Sequence, residues 1–391
     1  MTRKLAYCTN VHAGVDLDST VANLERYALA VKNQFAGDQL MGIGLWFAAP
    51  AAQTLISDGR SGWLADWLAA NGLLPFTLNG FPYGDFHQPV VKHRVYEPTW
   101  QQSERLTYTL NLIDILNVLL PAGQDGSIST LPIAWGDPQM TSDQWQLAAD
   151  NLLNVVNHLA DMEAAHDRLI YLCIVPEPGC AIGVSDEIVN FFDRYLFAGN
   201  DVDRVSRYLR VCHDICHAAV MFEEQDQVLD KYSQAGIQVG KVQVSSAICV
   251  NFEQLNHADR GRAFEQLAGF AEDRYLHQTC VRQQDEDRLR FYEDLTDALA
   301  DVEHSRELRS EWRVHFHVPI YLERFGWIGT SNEQIPKCLV AANRFPALKH
   351  FEVETYAWGV LPAELQEEDL SVGIAREMDW LASLPEFNGM K

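Results

Sequence analysis

Basic residues are scarce in this chain. Its 391 residues carry 30 Lys and Arg against 54 Asp and Glu, a formal net charge of −24. A nucleic-acid surface needs a face rich in Lys and Arg to neutralise phosphates, so the expectation is no nucleic-acid partner. Long apolar runs are missing too. None approaches the roughly 18–20 residues that cross a bilayer, and the apolar stretch in MTRKLAYCTNVHAG is too short for a signal peptide. The eight cysteines are scattered without a CxxC pair, and several lie in apolar runs, which suits reduced, buried thiols. These features point to a cytoplasmic protein without a membrane partner. Phosphate-cradling and nucleophile signatures are absent as well: no GxGxxG follows a strand, and there is no GxxxxGK[ST] or GxSxG. Gly42-Ile43-Gly44 is isolated and reads as a turn or a close contact.

What is present is a large apolar fraction, 47%, in short runs that alternate with helical patterns. Strands are predicted at Leu5–Asn10, Gly42–Phe47, Phe76–Gly80, Thr130–Trp135, Leu169–Val175, Leu209–His213, Val314–Val318 and Phe351–Thr355. Strands separated by helices imply right-handed βαβ crossovers and a parallel sheet. Eight of them predict an α/β fold, a (β/α)8 TIM barrel formed as a single domain over 1–391. A ninth candidate, KVQVSSA at 241–247, lies in a charge-rich stretch with a helical pattern. That stretch, about 224–312, is read as a mostly helical insertion between strands 6 and 7. The alternative, in which KVQVSSA is itself a barrel strand, displaces one of the eight.

Polar residues gather at the carboxyl ends of these strands, the face on which barrel enzymes build their sites. Asn10 and His12 follow strand 1, Trp46 ends strand 2, Asn79 strand 3 and Trp135 strand 4. Glu177 follows strand 5, Asp214 and His217 follow strand 6, His315 and His317 lie on strand 7, and Glu354 on strand 8. Glu177, Asp214, His317 and Glu354 offer three carboxylates and an imidazole, a set suited to one divalent ion, Mn²⁺, Mg²⁺ or Zn²⁺. Glu177 to Asp214 and His317 to Glu354 are each 37 positions apart, the length of one strand, helix and two loops. Each residue also has a plainer role, the histidines as satisfied core or rim groups and the glutamates as loop or structural carboxylates. Trp46 and Trp135, with Phe81, Tyr83 and Phe86, suit either a sugar-binding wall or a filled barrel mouth.

The pattern resembles the xylose isomerase-like TIM-barrel superfamily of sugar isomerases, epimerases and endonuclease IV-type enzymes. Glu177 in VPEPG looks like its metal-ligand Glu, and Asp214-Ile-Cys-His217 matches its Asp-x-x-His. His315-Phe-His317 with Arg324 resembles its strand-7 His-x-His and following Arg, and Glu354 its closing Glu. NGFPYGDFH, STLPIAWGD, KVQVSSA and HFHVPIY together look like the EboE-type metabolite traffic proteins. The long insertion departs from typical epimerases, and Gln243 is a second candidate for the strand-7 position.

The resemblance implies a metal-dependent sugar or sugar-phosphate isomerase or epimerase that moves a proton through a metal-stabilised enediolate. Glu177 and Glu354 would be the catalytic acid and base. His217 and Arg324 would bind substrate oxygens, Arg324 anchoring an anionic group, and His315 would orient a ligand. Two alternatives stand beside it: an endonuclease IV-like metal phosphodiesterase, and a non-catalytic metabolite-binding protein. A sugar-like or phosphorylated metabolite is the expected partner, and the acidic surface leaves a homodimer open.

Overall fold

The computed structural model describes residues 3–283, 289–304, 310–366 and 369–387. Seven strands alternate with helices from the start of the chain: β1 (Lys4–Cys8), β2 (Met41–Trp46), β3 (Leu73–Asn79), β4 (Gly126–Thr130), β5 (Ile170–Ile174), β6 (Leu209–Asp214) and β7 (Val239–Val244). Six strands then leave the alternation: β8 (Ile248–Asn251), β9 (Thr279–Gln283), β10 (Leu289–Tyr292), β11 (Ser310–Val314), β12 (Arg324–Phe325) and β13 (Ile328–Thr330). β14 (His350–Val353) closes the barrel in the order β1-β14-β7-β6-β5-β4-β3-β2, every pairing parallel. This is a closed (β/α)8 TIM barrel. Helices cover the outside and side chains fill the inside, so β4 to β7 are buried at every residue and read as continuous rather than alternating runs.

The seventh barrel strand corrects the expected order. KVQVSSA supplies β7, paired with β6 and β14, while the expected strand Val314–Val318 is outside the barrel. Its first residue ends β11, which pairs antiparallel with β8 and β9 in a second sheet ordered β10-β9-β11-β8-β13-β12. The insertion therefore runs over about 245–333, between the seventh and eighth barrel strands, and not over 224–312 between the sixth and seventh. It is also not mostly helical. Gln225–Gln234 is the ordinary helix between β6 and β7, and within the insertion His257–Ala268 and Leu295–His304 are helical as expected. The parts of the helical reading at 284–288 and 305–309 lie outside the described residues.

The barrel interior holds a buried charged pair. Lys241 Nζ lies 2.6 Å from Glu352 Oε2, and both side chains are fully buried. Glu352 lies across the position of Gly44, where an added Cβ would sit 1.6 Å from its Oε1. The glycine is thus a close contact, needed by a carboxylate that fills the space of a side chain. Gly44→Ala is expected to cost about 1–3 kcal/mol through overpacking, read as a lower denaturation midpoint.

Candidate metal centre

Asp214 ends β6 and caps the helix Ile215–Val220, its Oδ1 accepting the His217 backbone N–H at 3.2 Å. The Asp-x-x-His spacing is thus a helix N-cap followed by a residue of the first turn, which puts both side chains at one end of the strand. Ser245, just past β7, donates to the same Oδ1 at 2.6 Å. Asp214 Oδ2 is buried and has no hydrogen-bond partner. His315 and His317 come from the inserted segment, which follows β11 back across the barrel mouth. Val318 N–H donates to Ser246 O at 3.1 Å and fixes this segment to the end of β7.

Three imidazoles meet there. The Nε2 atoms of His217 and His315 are 3.2 Å apart, and those of His315 and His317 3.3 Å. Each ring turns its Nδ1 toward an acceptor: His217 to Pro176 O at 2.8 Å, His315 to Gln278 Oε1 at 2.8 Å, His317 to Glu354 O at 2.6 Å. The two carbonyls can only accept, so His217 and His317 carry their protons on Nδ1. Gln278 Nε2 donates to Tyr96 Oη at 2.9 Å and to Glu177 Oε1 at 3.0 Å, so its Oε1 faces His315 and fixes the same tautomer. With those protons on Nδ1, the Nε2 atoms of neighbouring rings face one another with no other donor between them. Burial favours the neutral form, pushing His317 down to about 4 and His315 well below the usual imidazole value.

Converging acceptors without a donor are repulsive unless a cation lies among them. Nδ1–H bonds to carbonyl or amide oxygens are also the usual support for metal-binding histidines. The spacing fits: four ligands at 2.0–2.1 Å from a tetrahedral ion are about 3.3–3.4 Å apart. Asp214, His217 and His317 offer ligand atoms within 4.8 Å of one another, as do Glu177, His217 and His315. Cys216 joins His315 and His317 in a third group, but burial and nearby carboxylates hold its thiol protonated. Either of the first two groups could hold a divalent ion, and Asp214, His217 and His317 form the one with the fewer competing bonds, since Asp214 Oδ2 has no hydrogen-bond partner while Glu177 Oε1 has two.

The expected quartet is not brought together as one set. Asp214 and His317 share a group, Glu177 belongs to another, and Glu354 joins none among the described residues. His217 and His315, expected to bind substrate, belong to these candidate ligand groups. The equal 37-residue spacings do not have one cause, since His317 is on the insertion and Gln243 is the β7 residue paired with Asp214 and Glu352.

Glu177 and Glu354 line a cavity together with His217, His315 and His317. Glu177 Oε1 accepts from Tyr96 Oη at 2.7 Å and from Gln278, while Glu354 Oε1 accepts from Asn10 and Asn79, each at 2.8 Å. Burial raises the Glu177 carboxyl; burial, then Asp214 and Glu352, raise Glu354 well above the usual range. Burial also acts to raise Asp214, but the hydrogen bonds it accepts from Ser245 Oγ and the His217 backbone N–H favour the carboxylate, and the carboxyl is lowered.

Four other expected residues are elsewhere. Arg324 is exposed on β12 and lines no part of the cavity. Trp46 donates its indole N–H to Pro82 O at 2.9 Å and, with His12, borders a separate small cavity. His12 stacks on Tyr27 with centroids 4.6 Å apart. Trp135 packs against Tyr96 from outside, 5.0 Å between centroids. Gln278, Tyr96, Tyr275 and Tyr356 were not expected; HQTC and the lone tyrosines carry no spacing that marks them.

No protein-family model matches the chain, and no curated protein matches it. Solved structures resemble it at low identity. An IolI protein with a bound zinc atom aligns at 11% identity and TM-score 0.47, covering 97% of this chain and 96% of that one. The probable 3-DHS dehydratase AsbF of Bacillus anthracis aligns at 12% and 0.44, covering 97% and 99%. A D-tagatose 3-epimerase-like protein aligns at 12% and 0.39, covering 70% and 88%. A family 18 glycoside hydrolase from Paenibacillus barengoltzii also aligns, at 12% and 0.39, so the likeness is one of barrel architecture and carries nothing about chemistry.

Proposed function

We propose that the protein is a metal-dependent isomerase or epimerase of a sugar-like compound, acting by proton transfer at a carbon next to a carbonyl. The observation that carries this reading is the set of Nε2 atoms of His217, His315 and His317 that face one another, with an unpartnered Asp214 oxygen, at a cavity whose other carboxyls have raised pKa values. Asp214, His217 and His317 would hold the ion, with His315 next to them. This donor set is richer in imidazole than the three-carboxylate set read from sequence, which favours zinc over magnesium. When bound, a divalent ion supplies positive charge that polarises a carbonyl and favours loss of the neighbouring proton.

The two glutamates divide the remaining work. Glu177 Oε1 is taken by Tyr96 and Gln278, two donors that favour the ionised carboxylate, which leaves Oε2 to remove a proton from substrate. Glu354 is raised further, which favours its protonated form; with Oε1 held by two amides, its proton would reside on Oε2 and be given to the opposite side. Two carboxyls held in different protonation states form an acid–base pair. Asn10 and Asn79 set the orientation of Glu354, and Gln278 that of both Glu177 and His315. The reading is compatible with the EboE-type resemblance and does not depend on it.

Solvent exchange tests it. Metal-loaded protein in D₂O is expected to place deuterium at the carbon next to the carbonyl of a ketose or aldose. Glu177→Gln should slow this by about 10²–10⁴-fold, the usual contribution of a general base, with metal content unchanged. A variant exchanging at the parent rate removes Glu177 from the mechanism.

A further inference from the structure

One hydroxyl in the cavity wall is left without a partner. Tyr96 spends its hydroxyl on Glu177 Oε1 at 2.7 Å, and Tyr275 spends its own on Phe86 O at 3.1 Å. Asn79 donates to Glu354 and accepts from the Phe81 backbone N–H, and Lys92 Nζ lies 2.8 Å from Asp294. Tyr356 lines the same cavity and is 9% exposed, yet its hydroxyl makes no hydrogen bond among the described residues. Nor is that oxygen sealed in protein, since it is not one of the fully buried polar atoms that lack a partner. A nearly buried polar atom that opens on a cavity and has no protein partner is satisfied by a ligand or by water.

The rest of Tyr356 is held firmly. Its ring packs on His317 with centroids 4.6 Å apart, and on Tyr275 and Phe86 at 5.0 and 5.4 Å, while His315 meets it at right angles at 6.4 Å. One carboxylate of the helix Leu370–Ser383 fixes the chain on both sides of it: Glu377 Oε1 accepts from Thr355 Oγ1 at 2.6 Å, and Oε2 from the Trp358 indole N–H at 3.1 Å. The same Oε1 accepts the Ile320 N–H at 3.0 Å, which ties the segment after His317 to this one. The ionisable groups within electrostatic reach of the hydroxyl include Cys216, Glu177 and Glu354, so it lies beside the histidine cluster and not at the outer surface. A donor already fixed in place needs no reorganisation when charge develops next to it.

We infer that Tyr356 is a further ligand-binding residue, its hydroxyl donating to the carbonyl oxygen of the bound compound. This rests on the isomerase reading for what that oxygen does. As Glu177 takes the proton from the neighbouring carbon, the C–H electron pair becomes a C=C bond and the C=O pair moves onto oxygen. Tyr356 stabilises the charge there through its hydrogen bond and keeps its own proton, as a phenol of pKa about 10 does at neutral pH. Gln243 is the competing donor: its Oε1 accepts from the Cys212 thiol at 3.2 Å, and its amide N–H groups have no acceptor among the described residues.

Tyr356→Phe removes the hydroxyl alone, and because that hydroxyl makes no bond within the protein, the urea midpoint should stay that of the parent. The probe is glycolohydroxamate, whose paired oxygens carry charge as those of an enediolate do. Calorimetric titration of the full-length, Zn²⁺-loaded protein should give an affinity about 10–100-fold weaker in Tyr356→Phe than in the parent, the worth of a hydrogen bond to a charged oxygen. Zinc content, measured after dialysis, should be equal in the two. Tyr275→Phe deletes a hydroxyl already bonded to Phe86 O and should not weaken binding comparably. An affinity in Tyr356→Phe equal to the parent's, an equal loss in Tyr275→Phe, or no binding by the parent overturns the inference, the first of these leaving Gln243 as the donor. Deuterium exchange separates the two claims: hydroxamate binding that depends on Tyr356, without exchange in the parent, keeps Tyr356 as a ligand residue and removes the isomerase reading instead.

Discussion

Alanine at His217 or at His317 is expected to abolish stoichiometric zinc binding at micromolar protein, while Glu354→Gln leaves it intact. The contrast follows from the geometry. The two histidines each present a lone pair with no donor to satisfy it, whereas Glu354 Oε1 already accepts from two amides and belongs to no ligand group among the described residues. Gln278→Leu should fall between. It leaves the ligand atoms in place but removes the acceptor that fixes the His315 tautomer, and loss of such an outer partner weakens metal binding about 10–100-fold. Competition against a chromophoric chelator, with circular dichroism to confirm folding, gives the order. If Glu354→Gln loses the metal and the histidine variants keep it, the centre is the carboxylate-rich set read from sequence and the imidazole cluster is core packing.

The same residues show how far the sequence alone reaches. The barrel was legible because its strands are buried on both faces and appear as compact apolar runs between helical patterns. Glu177, Asp214 and His217 were legible because they sit at ends of such strands, where short spacings survive in the chain. His317 lines the cavity at the mouth, but it follows a strand of the second sheet and not the seventh barrel strand. Val314–Val318 looks like a barrel strand, and nothing local says that its first residue ends an antiparallel strand of another sheet. The signal that was available is the alternation in Ser310–Val314, buried at Ser310, Trp312 and Val314 and half-exposed between, which marks a sheet with one wetted face. Charge obscured it: Glu311 and Arg313 pair with each other on that wetted face, and in sequence they blend with the charged helical pattern before them. The role of Gln278 was not legible at all, because it depends on Tyr96, Glu177 and His315 meeting from three separate parts of the chain.

The buried pair inside the barrel gives the largest expected effect on stability. Lys241→Met should destabilise the protein by about 3–5 kcal/mol, the usual result of removing one partner from a buried ion pair. The pair is exposed to this loss because it has little else to rely on. Apart from the Lys241 contact, neither oxygen of Glu352 has a hydrogen-bond partner, and the other bond of Lys241 is to Ser129 Oγ at 3.4 Å. Burial acts to lower the Lys241 pKa, yet Glu352 more than offsets it and keeps the ammonium charged. Deleting the lysine strands a buried carboxylate with no protein donor. Deleting both should be far milder, since apolar side chains of similar volume can replace a desolvated pair at little net cost. Lys241→Met with Glu352→Met is therefore expected to recover most of the loss, measured as the midpoint of urea denaturation. The double variant also removes two opposed influences on Glu354, the lysine that lowers its carboxyl and the glutamate that raises it. A single variant as stable as the parent would mean that Glu352 is protonated in the fold and that no ion pair exists there. A double variant no better than Lys241→Met would place the cost in packing around Gly44 rather than in stranded charge.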